Sequence, residues 1–92
     1  MKEPYAKLFK ASGEITDVRP KDGRYFSLEE MQGFVGGYIQ MVRTPGGRFI
    51  VCDEEGIFKE YALNEHATAK YAPKSDMIFG DVLICDDEFI EK

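Results

Sequence analysis

The chain has 92 residues, 12 of them basic and 17 acidic, giving a net charge of −5 at neutral pH, and 43% of it is hydrophobic. That length holds one core of ordinary size, and that apolar fraction excludes an intrinsically disordered chain. No apolar run approaches the roughly 20 residues of a membrane-spanning helix, and the scattered Lys and Arg residues form no stripe of the kind nucleic-acid binders carry.

In chain order, Met1-Lys2-Glu3-Pro4-Tyr5 lacks the apolar core of a secretory leader, so the expected location is the cytoplasm. Residues 5–10 read as a short strand. Ala11-Ser12-Gly13 signals a turn, and residues 14–18 read as a second, β-branched strand. Pro20-Lys21-Asp22-Gly23 ends it with a turn. Ser27-Leu28-Glu29-Glu30 is a capping box, with Phe26 and Met31 at the positions of a hydrophobic staple. Leu28, Met31, Phe34 and Val35 recur at helical spacing, and Gly36-Gly37 ends the helix.

Residues 38–43 and 48–52 read as strands joined by a type II turn at Thr44-Pro45-Gly46-Gly47. Asp53-Glu54-Glu55-Gly56 turns again into a third strand at residues 57–61. The short loops make these three an antiparallel meander. Residues 63–72 read as a short helix with Asn64 as its natural N-cap, and Pro73 stops it. Residues 77–85 read as a long strand with a bend at Gly80, and their continuous apolar run suits a central strand buried on both faces. An acidic tail with two apolar anchors, Phe89 and Ile90, follows.

The expected fold is α+β: a single compact domain over residues 1–92, with a curled antiparallel sheet of about five strands wrapped around the first of two short helices. Residues 1–4 and 86–92 are candidate flexible ends. The expected core contains Phe9, Ile15, Leu28, Met31, Val35, Ile39, Met41, Phe49, Val51, Phe58, Ile78, Val82 and Ile84.

The run from Leu28 to Gln40, Leu-Glu-Glu-Met-Gln-Gly-Phe-Val-Gly-Gly-Tyr-Ile-Gln, resembles the signature of a small family of domains of unknown function from gut bacteria, phages and mobile elements. Cys52-Asp53-Glu54-Glu55-Gly56, Asn64-Glu65-His66-Ala67-Thr68 and Ile78-Phe79-Gly80-Asp81-Val82-Leu83-Ile84 resemble its later segments. Cys52 and Ala62 depart from its pattern. The resemblance implies a bacterial, phage or plasmid setting and no activity.

Few residues carry chemistry. Gly36-Gly37 follows a helix rather than preceding one, which is the wrong end for a phosphate loop. Cys52, Cys85 and His66 are too dispersed for a zinc site, and the carboxylates at 53–55 and 86–88 do not match a calcium loop. No metal, no cofactor and no catalytic group is therefore expected. Cys52 and Cys85 are expected to be buried thiols, with a disulfide between neighbouring strands left open. The candidate ligand- or partner-binding residues are Tyr38, Asn64, Glu65 and His66, with capping as the competing role for Asn64. The aromatic content, 13%, favours an exposed patch. The leading expectation is a non-enzymatic protein-interaction module with an unidentified protein partner, acting on a host protein if its origin is a mobile element. The alternative is a nucleotide-like ligand bound in a pocket near Asn64. The third reading is a small enzyme using His66. No membrane contact and no nucleic acid is expected, and a homodimer stays open.

Overall fold

The computed structural model describes residues 4–44, 46–56, 58–71 and 77–91. Five strands and two helices alternate along them: β1 (Ala6–Phe9), β2 (Ile15–Asp17), α1 (Leu28–Val35), β3 (Ile39–Arg43), β4 (Arg48–Asp53), α2 (Glu65–Tyr71) and β5 (Val82–Asp86), followed by a 3-10 turn at Asp87–Phe89. The strands lie in the order β2-β1-β5-β4-β3, every pair antiparallel. Lys10 and Glu14 close the β1–β2 turn through a backbone bond of 2.8 Å.

The sheet is open, which corrects the curled sheet expected from sequence. Its two outer strands, β2 and β3, sit at opposite ends of the strand order and do not pair with each other. The physical reason lies in β5. Leu83 and Cys85 point into one core cluster with Ala6, Val51, Met31, Val35, Phe26 and Phe89. Val82 and Ile84 point into another with Phe9, Ile50 and Ala67. Successive residues of a strand face opposite sides, so a strand apolar at every position needs cover on both faces. α1 covers one face and α2 the other. A sheet curled around α1 would leave Val82, Ile84, Phe9 and Ile50 in water, at a cost of about 2 kcal/mol each. β5 does occupy the central place expected from its apolar run.

α1 forms as its sequence dictates. Ser27 Oγ accepts the Glu30 N–H at 3.0 Å, and Glu30 returns a carboxylate oxygen to the Ser27 N–H at 3.0 Å. Gly36 ends the helix in the left-handed region (φ 86°), where its N–H donates to Gln32. Phe26 packs edge-on against Phe34 and Phe89, and this draws the chain end back under α1.

Further corrections concern the second half. The meander's third strand is absent: Phe58–Glu60 form a turn, and β4 pairs with β5 instead. Ile57 lies outside the described residues, as do Pro45 and Pro73 with the turn and the helix stop assigned to them. The last strand begins at Val82 rather than at residue 77, because Gly80 adopts φ 82° and breaks the extension. Phe79 keeps only an isolated bridge to Leu63. Of the expected core, Phe9, Met31, Val35, Val51, Val82 and Ile84 are buried, while Ile15, Leu28, Met41 and Phe58 are exposed. Both thiols are free. Cys85 and Cys52 pack into clusters on opposite faces of the sheet, so they are not placed to join.

Candidate functional site

β3 is an edge strand, and its register determines which of its backbone groups are spare. Tyr38 accepts the Glu54 N–H at 3.0 Å, and Thr44 donates its N–H to Arg48 at 2.7 Å. In an antiparallel ladder hydrogen-bonded pairs alternate with non-bonded ones. With Gln40 opposite Cys52 and Val42 opposite Ile50, the even-numbered residues therefore bond β4. The N–H and C=O groups of Ile39, Met41 and Arg43 point the other way, where no strand among the described residues pairs with them.

One end of this edge is a built corner. Asp53, at the end of β4, has a side chain only 1% exposed. It accepts from Lys59 Nζ at 2.8 Å, from the Tyr61 hydroxyl at 3.0 Å and from the Glu55 N–H at 2.8 Å. Burial alone would raise its pKa, but these three donors outweigh it and hold the carboxyl below the usual aspartate value. The bond from Asp53 in turn raises the Lys59 ammonium and the Tyr61 hydroxyl, so both remain protonated donors. The corner has no room for a side chain at residue 37, where a Cβ would stand 2.6 Å from Asp53 Oδ2.

Holding the turn this way leaves Phe58 82% exposed and Tyr38 68% exposed. The Glu54–Tyr38 bond brings the turn against the start of β3. The same turn carries the exposed carboxylates Glu54, Glu55 and Glu60. The Lys59 ammonium balances the Asp53 charge inside the corner. The corner presents aromatic surface, negative charge and a spare strand edge.

The other expected site residues lie around α2. Asn64 is fully buried: its amide donates to the carbonyls of Phe9 (2.8 Å) and Gly80 (2.9 Å), and its Oδ1 accepts the Ala67 N–H. Both amide hydrogens are thus spent on fixing α2 to β1 and to the approach to β5. Glu65 and His66 are exposed on the first turn of α2. His66 borders a concavity of about 500 Å³ between α2 and the β1–β2 end of the sheet. Sequence reading missed Lys7, Ile15 and Lys70, which share that lining. The available signal was the helical spacing of residues 66, 69 and 70. It also missed Phe58, whose place in an apparent strand concealed a turn.

Among the described residues no three His, Cys, Asp or Glu side chains converge in a metal-binding group, and no helix is long and apolar enough to cross a membrane. Residues 5–91 match the family model described as Domain of unknown function (DUF3846). No curated protein and no solved structure matches the chain.

Proposed function

We propose, from the premise that the chain belongs to the DUF3846 family of unknown function, that it is a non-enzymatic protein-interaction module whose β3 edge receives an extended segment of a partner protein. The observation that carries this reading is the spare hydrogen-bonding edge of Ile39, Met41 and Arg43, which begins beside the exposed Tyr38, with Phe58 exposed on the turn after β4. An unpaired edge offers main-chain bonds to an incoming strand, and side-chain surface beside it selects which strand enters. Aromatic residues are enriched at such contacts.

The occupant we favour carries Lys or Arg at the end that meets the corner. Glu54, Glu55 and Glu60 are exposed there, and residues 49–92 carry eleven acidic side chains against four basic ones. Opposite charge steers such a segment into register. The resemblance of the Leu28–Gln40 run to a signature from phages and mobile elements supports a host protein as the source of the segment.

The test is selection of peptides from a random displayed library, followed by amide exchange of the 15N-labelled chain with the selected peptide bound. The expected peptides have a basic end, and they slow exchange at Ile39, Met41 and Arg43. Met41→Pro removes one outward N–H and leaves the β3–β4 ladder intact, so it should weaken binding by about tenfold, as loss of a main-chain bond implies. Peptides that bind the Met41→Pro chain equally well, or that protect amides elsewhere, would contradict the reading, as would a chain that pairs this edge with a second copy of itself.

A further inference from the structure

The concavity beside α2 differs in charge from the molecule as a whole. The chain carries a net −5, yet among the described residues this lining contains Lys7, His66 and Lys70 and no carboxylate. Their convergence follows from the fold. His66 and Lys70 are four residues apart on α2 and share a face. Lys7 stands opposite Ile84 across the β1–β5 pair, and Ile84 belongs to the cluster beneath α2. Residues opposite each other on paired strands point to the same side, so Lys7 projects toward α2.

Beside these groups the surface is apolar. Phe9 and Ile15 are directly opposite in the β1–β2 ladder, and with Ala69 they line the same space as the basic groups. Ile15 is 44% exposed, although the rest of its ladder pair is buried. At the end of the space, a side chain at Gly13 would come within 3.8 Å of His66 Nε2. The volume, about 500 Å³, falls in the range of about 300–1,000 Å³ typical of small-molecule sites. Lys7 Nζ lies 5.5 Å from the centre of the Tyr5 ring and pairs with Asp17 at 3.6 Å, the carboxylate side chain being 72% exposed. A pair of that kind is weak and yields readily to a better anion.

We propose that this concavity binds a small amphiphilic anion of the nucleoside monophosphate class. Lys7 and Lys70 take the phosphate, His66 donates a hydrogen bond to the same group, and the planar base lies on Ile15 and Ala69. The site uses residues distinct from those of the β3 edge, so each proposal can fail without the other.

Amide chemical-shift titration of the 15N-labelled chain tests it, with adenosine 5′-monophosphate, adenosine and inorganic phosphate as separate probes. The nucleotide should give saturable shifts confined to residues 7–15 and 66–70. Adenosine and phosphate should each bind about tenfold more weakly, since each offers one half of the recognition. Lys70→Gln and Lys7→Gln should each weaken nucleotide binding by about tenfold, the usual loss for a charge-assisted bond, with the remainder of the spectrum unchanged as evidence of an intact fold. Lys70→Arg should retain binding. Absence of saturation, shifts centred elsewhere, phosphate binding as tightly as the nucleotide, or affinity indifferent to both lysine substitutions would each overturn the proposal.

Discussion

Asn64 and Asp53 are the two polar residues on which the local architecture turns, and each yields a prediction. Removing the Asn64 amide strands the buried carbonyls of Phe9 and Gly80 and uncaps α2. Asn64→Ala should therefore destabilise the chain by about 2–4 kcal/mol in chemical denaturation. Asn64→Asp, which cannot donate, should be no better. Asp53 gives a pH dependence. Its folded pKa lies below the ordinary value of 3.8, so the stability it contributes is complete above the unfolded value and is lost as pH falls through the folded one. The stability gap between the native chain and Asp53→Asn should be flat from pH 7 to about 5 and narrow below about pH 4. A gap that widened on acidification would refute this. The cap at Asn64 is legible from its place before a helical stretch. Its two inward bonds are not, because they reach residues 55 and 16 positions away.

At the scale of elements, local chemistry predicted well where it acts alone. The capping box of α1, its glycine stop and the β3–β4 hairpin rest on residues within a few positions of one another, and the sequence displays them directly. Residues 57–61 misled because alternation is blind to a side chain folding back. Lys59 is taken up by Asp53, six residues earlier, and Glu60 sits at φ 57°, which no strand accommodates. The last strand is shortened by Gly80, whose positive φ ends the extension and lets the backbone approach Tyr61. A Cβ there would stand 2.7 Å from the Tyr61 ring. Gly80→Ala should cost about 2–4 kcal/mol, left-handed strain and overpacking combined, and a thermal melt would register it. A substitution neutral in that melt would show that Tyr61 can move aside.

At the scale of the whole molecule, the open sheet with one helix on each face sets the two proposed binding regions apart. The β3 edge with its acidic aromatic corner lies at one end of the strand order, and the basic concavity lies at the β1–β2 end under α2. Tyr38 and His66, both singled out from sequence, thus belong to different regions rather than to one site. The sequence could not reveal this division, since strand order depends on β5 returning between β1 and β4 across some 75 residues of chain from β1. Nor does composition reveal the basic concavity, because an acidic total conceals a local excess of lysine. Amide hydrogen exchange of the isolated 15N-labelled chain tests whether β3 offers a free, alternating edge. Slow exchange is expected at Gln40 and Val42, whose N–H groups bond β4, and fast exchange at Ile39, Met41 and Arg43. Uniform protection along β3 would mean that the edge is already covered, and the reverse alternation would mean that the register places the spare groups elsewhere.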